Sequence, residues 1–252
     1  MAVRTLRPGH ASLAGLRWLA SVGPAPVEAW AVAMGWGRSA AYSHASRLAA
    51  AGWVASCSMA HGDGSLVYAT REGVHVARIP AAALAAPPAP TTWAHCEACA
   101  WVAAWLSTRG RQMTGSRELL LDEVWRAEVE WMERGGLRRR GHRPDLVGRI
   151  GETGPLVPIE VELATKSLVR LRAILALHAS WVAAGKTPAV IYICGTRKVA
   201  EHVRREASGV GLSSERKTLR VELLDTTRQA AVATRETSNS QRYVAASREV
   251  TA

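Results

Sequence analysis

Two short segments hold the residue types that metal-assisted phosphate chemistry requires. They are His142-Arg143-Pro144-Asp145-Leu146-Val147-Gly148 and Pro158-Ile159-Glu160-Val161-Glu162-Leu163-Ala164-Thr165-Lys166. An isolated Pro-Asp is followed by an apolar, β-rich run carrying two glutamates and then a lysine. Alternate side chains of a strand share a face. Glu160 and Glu162 therefore point one way, while Ile159, Val161 and Leu163 point into a core. Asp145 stands at the head of the neighbouring predicted strand, 146–150, and completes a three-carboxylate edge. Oxygen ligands of this kind suit Mg²⁺ or Mn²⁺. Such a cation polarises a phosphoryl group and lowers the pKa of a bound water. Asp145, Glu160 and Glu162 are thus the candidate metal ligands. Together with Lys166, which would position or activate the water, they are the candidate catalytic groups for phosphodiester hydrolysis.

The elements that must position these groups follow from periodicity. Residues 151–154 read as a hairpin turn between the two strands. Lys166 opens a helix whose apolar stripe is Leu168, Leu171, Leu175 and Val182, with Arg170 and Arg172 off it. His178 lies on that stripe and reads as a hydrogen-bonded core or domain-interface histidine rather than a catalytic group. A buried strand (188–194), a helix (198–208) and a last strand (219–224) follow. Helix–strand–strand–helix–strand fits an α/β core. Just upstream, Gly135-Gly136-Leu137-Arg138-Arg139-Arg140-Gly141-His142-Arg143 reads as a basic, glycine-flanked loop. Arg138, Arg139, Arg140 and Arg143 are candidate phosphate contacts, although charge runs are more often simply solvated.

The N-terminal region has another pattern. Residues 11–34 give two helical segments around Gly23-Pro24, and Gly35-Trp36-Gly37 leads into a third helix, about 38–51. On that helix Ala41, Ala45 and Leu48 face a core, while Ser39, Tyr42, Ser43, Ser46 and Arg47 face outward. Small polar and arginine side chains on a third helix suit insertion into a major groove. Arg38, Ser39, Tyr42, Ser43 and Arg47 are therefore candidate DNA contacts. The runs 53–58 and 66–70, around His61-Gly62-Asp63-Gly64, form a hairpin signal. Three helices and a hairpin are the order of a winged helix-turn-helix. The expected domains are 10–80, winged helix; 81–92, an Ala/Pro-rich linker; 93–225, the α/β domain; and 226–252, a polar flexible tail.

The first pair of segments resembles the PD-(D/E)xK nuclease core. With Gly115-Ser116-Arg117-Glu118-Leu119 and Ile159–Ser167 added, residues 10–225 resemble the replication-relaxation family of bacterial plasmids, phages and integrative elements. The resemblance implies an α/β (α+β overall) fold: a winged helix followed by a PD-(D/E)xK nuclease-like α/β domain. It also implies a DNA-associated role in replication, relaxation or mobilisation. The sequence departs from the motif at one place, since acid-x-Lys would put lysine at 162, where Glu162 stands. Two readings stay open. One is a Mg²⁺-dependent DNA endonuclease or nickase. The other is a non-catalytic DNA-bound adaptor that recruits a relaxase, replication protein or recombinase.

The bulk numbers agree with a double-stranded DNA partner. Lys+Arg outnumber Asp+Glu by 32 to 21 over 252 residues, a net charge of +11, which favours a polyanion. Nearly all of the positive charge is arginine, whose planar fork suits phosphate and guanine edges. Ala- and Arg-rich usage without Phe is also what a GC-rich coding sequence gives, so the arginine excess alone carries little weight. No segment reaches the roughly 20 apolar residues of a membrane span, and residues 1–10 show no apolar signal core. No membrane association and a cytoplasmic location are expected. Cys57, Cys96, Cys99 and Cys194 form no disulfide framework. Cys96-x-x-Cys99 has no second pair at zinc spacing, so no zinc site is expected. There is no Gly-x-Ser-x-Gly elbow, Walker loop or dinucleotide fingerprint.

Overall fold

The computed structural model describes residues 9–58, 65–80, 87–149 and 153–250, the stretch 238–250 by its backbone alone. Its content is mixed, 49% helix and 23% strand, as the α/β class requires. Among the described residues no helix is long and apolar enough to cross a membrane. The chain divides into two compact units, residues 1–109 with 230–252 and residues 110–229.

In the first unit the elements run α1 (His10–Val22), β1 (Ala25–Pro26), α2 (Val27–Met34), α3 (Arg38–Ala50), β2 (Val54–Ser58), β3 (Ser65–Ala69), α4 (Arg71–Val76) and α5 (Trp93–Ser107). The strands form one sheet in the order β1-β3-β2, with both pairings antiparallel. The predicted hairpin strands are β2 and β3; the predicted turn 61–64 lies outside the described residues. Gly35 ends α2 in the left-handed region (φ 66) and turns the chain towards α3.

The centre of this unit is aromatic. Trp30 is fully buried and its Nε1 donates to the Gly15 carbonyl at 3.0 Å. Trp36 packs edge-on against it at 5.1 Å and stacks on His44 of α3 at 4.0 Å. Gly15 leaves room for this stack, since a Cβ there would meet the Trp36 ring at 2.4 Å. Gly73 has a similar role. The Thr70 hydroxyl caps α4 by accepting from the Gly73 amide and donates to the Gly52 carbonyl. A Cβ on Gly73 would lie 1.9 Å from the Trp53 carbonyl oxygen, so backbone must move. Gly73→Ala is expected to cost about 1–3 kcal/mol, read as a lowered urea midpoint.

Two boundaries differ from the sequence reading. The division falls after Arg109, so α5 belongs to the first unit and does not open the α/β domain. The reason is its surface: every residue from Ala98 to Leu106 is buried, which leaves no face for solvent. The Trp18 indole N–H, from α1, donates to Ser107 at the end of α5. The predicted linker keeps Pro90–Thr92 as a 3₁₀ turn, and 81–86 lie outside the described residues. The expected flexible tail is instead α9 (Leu224–Val250). No Gly or Pro interrupts it, and the alanine-rich turn around Ala231 buries that side chain fully.

The second unit is built on a five-stranded sheet, β10-β9-β8-β7-β4: β4 (Met113–Thr114), β7 (Leu146–Arg149), β8 (Leu156–Glu162), β9 (Val190–Cys194) and β10 (Leu219–Leu223). The β4–β7 and β7–β8 pairs are antiparallel, while β8, β9 and β10 run parallel. α6 (Ser116–Leu119) follows β4, α7 (Leu168–Ala183) crosses from β8 to β9, and α8 (Arg197–Ser208) from β9 to β10. The core joins Leu171 and Leu175 of α7 to Val190, Tyr192, Val199 and Val203. Leu168, placed on the stripe by sequence, is exposed, whereas Ile174, His178 and Trp181 are buried.

A separate hairpin, β5 (Ala127–Glu133) with β6 (Gly136–His142), replaces the predicted basic loop. Its alternation of Glu128 and Glu130 with the buried Val129 is a strand pattern. Gly135 and Gly136 supply positive φ (106 and 121) at the turn.

Candidate functional site

The strand period places Glu160 and Glu162 on the same face of β8, as the sequence reading expected, and both are almost fully buried. Each has its own partner. The Glu162 carboxylate pairs with Lys166, which lies in the turn before α7 rather than in the helix. Glu160 Oε1 is 3.0 Å from His142 Nε2 and 3.3 Å from His178 Nε2. His142 ends β6 and His178 sits in the middle of α7, so three elements converge on one oxygen. Asp145 turns to the sheet instead. Its carboxylate accepts the Val161 backbone N–H at 2.8 Å.

The ligand atoms are grouped differently from the sequence expectation. Among the described residues of this unit, the three ligand atoms that lie within 4.8 Å of one another belong to His142, Glu160 and His178. Asp145, Glu160 and Glu162 do not form such a set. The cause is topological: Asp145 spends its oxygen on β8's backbone, and Glu160 is claimed by the histidines from β6 and α7. Two imidazoles and one carboxylate suit zinc-class ions better than Mg²⁺, which prefers oxygen ligands.

Electrostatics follow from this burial. Burial pushes the Glu160 carboxyl upward, but His142 and His178 outweigh it and hold the group well below the usual carboxylate range. Burial raises Glu162, with Lys166 opposing and the Glu160 and Asp145 charges adding to the rise. His178 is lowered by its burial, against the pull of Glu160. Its Nδ1 lies 3.1 Å from the Tyr192 hydroxyl on β9, while its buried Nε2 has no hydrogen-bond partner of acceptable geometry. The Cys194 thiol, paired in register with Glu162, is pushed up to about 12 by burial and then by that carboxylate.

Of these groups, His178 was read from sequence only as a core or domain-interface residue, and His142 was not singled out. A histidine on an apolar helical stripe, with another just before Arg-Pro-Asp, was the signal.

Two of the three arginines of β6 have acidic partners. Arg139 pairs with Glu128 and with Glu130, the latter at 2.5 Å, and Arg138 lies 3.6 Å from Glu133. Arg143 contacts Glu123 at 3.5 Å. Arg140 is exposed. The acids of β5 thus offset the arginines that the sequence placed in a basic loop.

α3 presents the opposite picture. It buries only Ala41 and Leu48, and Ala45 is half-buried. Arg38, Ser39, Tyr42, Ser43 and Arg47 are all exposed. The Tyr42 hydroxyl donates to Glu28 at 3.0 Å, and the Arg38 guanidinium lies 5.9 Å from the Tyr42 ring centre. Arg47 Nε donates to the Ser43 carbonyl one turn back. Burial, and then the Arg47 charge, lower the His44 pKa, and the ring is stacked under Trp36 and bonded to Ser12. The helix is thereby fixed from beneath while its arginine and hydroxyl side chains are exposed, with Arg235 of α9 lining a pocket beside Arg38 and Tyr42. In α5, Cys99 Sγ lies 3.5 Å from His95 one turn earlier.

No family model, curated protein or solved structure matches this chain.

Proposed function

We propose that this chain is a double-stranded DNA-binding protein with a winged-helix N-terminal unit that docks α3 in the major groove. One observation carries the reading: α3 is anchored by two buried side chains and offers six polar or cationic ones outward, Ser46 among them. The surrounding order of helix, strand, two helices and two strands, with β1 paired to β3, is the order of winged helices.

The second unit fits a PD-(D/E)xK-type scaffold. Asp145 heads one strand, Glu160-x-Glu162 lies on the next, and a helix leads to a parallel third. Its carboxylates already have protein partners. The reading that accommodates this is a DNA-bound adaptor of the replication-relaxation kind, serving a mobile element by recruiting a relaxase, replication protein or recombinase. The endonuclease reading keeps one specific support, the Lys166–Glu162 pair beside Asp145.

The test uses the full chain with supercoiled plasmid and a short duplex, with Mg²⁺ or Mn²⁺ present. Duplex binding that weakens steeply with salt, without nicking, is the expected outcome. Metal-dependent nicking abolished by Glu162→Ala and Lys166→Ala would replace the adaptor with an enzyme. Absence of duplex binding at low salt would overturn both.

A further inference from the structure

We propose that His142, Glu160 and His178 form a binding site for a divalent transition cation of the zinc class. The two separations from the Glu160 oxygen suit one ion. Zinc bonds to imidazole nitrogen and carboxylate oxygen are about 2.0–2.1 Å, so tetrahedral ligand atoms lie roughly 3.3 Å apart. Here the Glu160 oxygen is 3.0 Å from one imidazole nitrogen and 3.3 Å from the other. All three ligand atoms lie within 4.8 Å of one another.

A second observation points the same way. His178 is fully buried, and its Nε2 faces Glu160 without a hydrogen bond. Its other nitrogen is engaged by the Tyr192 hydroxyl at 3.1 Å. An Nδ1–H held by Tyr192 leaves the Nε2 lone pair facing the carboxylate and His142. Metal-bound histidines are oriented in this way, with the outer nitrogen hydrogen-bonded to a second partner. Two imidazoles and one carboxylate favour zinc-class ions over Mg²⁺ or Ca²⁺, which take oxygen. Three protein ligands also leave a fourth position for water.

The site lies where it can tie elements together. His142 ends the β5–β6 hairpin, Glu160 is on the central sheet, and His178 is on α7. A bound ion would join all three. This inference does not depend on the DNA-binding proposal.

The experiment is Co²⁺ and Zn²⁺ titration of the full chain after chelator treatment, followed by visible absorption, bound-metal analysis and thermal melting. One equivalent of Co²⁺ with ligand-field absorption, displaced by Zn²⁺, is expected, together with a metal-dependent rise in melting temperature. His142→Gln removes one ligand at a partly accessible position and should weaken binding by tenfold or more. Tyr192→Phe keeps every ligand and should weaken it about 10–100-fold through lost orientation. Both variants are compared with wild type in chelator, where equal urea midpoints show that the fold is kept. No bound metal in wild type, or equal affinity in His142→Gln, would overturn the site.

Discussion

Alanine in place of Trp30 is expected to remove about 3–5 kcal/mol from the stability of the first unit. The ring is fully buried, and its Nε1–H is satisfied by the Gly15 carbonyl. Truncation leaves a cavity and a carbonyl without that donor, two costs that add. The consequence extends to α3, because Trp36 rests on Trp30 and stacks on His44. A large fall in the urea midpoint is expected. Trp30→Phe, which refills most of the cavity, should lose markedly less. A wild-type midpoint for Trp30→Ala would show that the aromatic stack does not hold this unit together.

Leu175→Ala is expected to cost about 2–5 kcal/mol in the second unit, the range for leucines emptied from well-packed cores. Leu175 is fully buried among Tyr192, Val190 and the apolar face of α8. His178 lies three residues further along α7, on the same face. Loosening the helix at Leu175 should therefore also loosen the imidazole from Tyr192 and Glu160. Amide exchange along α7 should speed up in the variant, and protection equal to wild type would contradict the packing described.

The two-residue period of 157–163 made β8 legible, and with it the shared face of Glu160 and Glu162. What sequence spacing did not convey was competition for those carboxylates. His142 and His178 are 36 positions apart, on a hairpin strand and a helix, and only the fold brings them to one oxygen. The arginine run 138–140 drew attention away from the acids opposite it in register, where Glu130 faces Arg139. Glu128, Glu130 and Val129 did carry the strand alternation that would have revealed the pairing. α3 was readable because Ala41 and Leu48 are seven residues apart, two helical turns, and every polar residue between them except His44 is exposed. α5 was grouped with the α/β domain, and α9 read as a tail, for opposite reasons. α5 is apolar all round and so marks burial without naming its partner, while α9 is polar enough to resemble a free tail although its alanines favour helix.

The most direct test of DNA contact through α3 compares two double substitutions for duplex affinity at about 50 and 200 mM salt, the range over which phosphate contacts separate. Arg38→Ala with Arg47→Ala should weaken binding roughly tenfold or more and flatten the salt slope by about one unit per lost phosphate contact. Arg138→Ala with Arg139→Ala should change little, because Glu128, Glu130 and Glu133 already pair with those guanidiniums. If the hairpin pair abolishes binding and the α3 pair leaves affinity and slope intact, α3 is not the DNA-contacting helix.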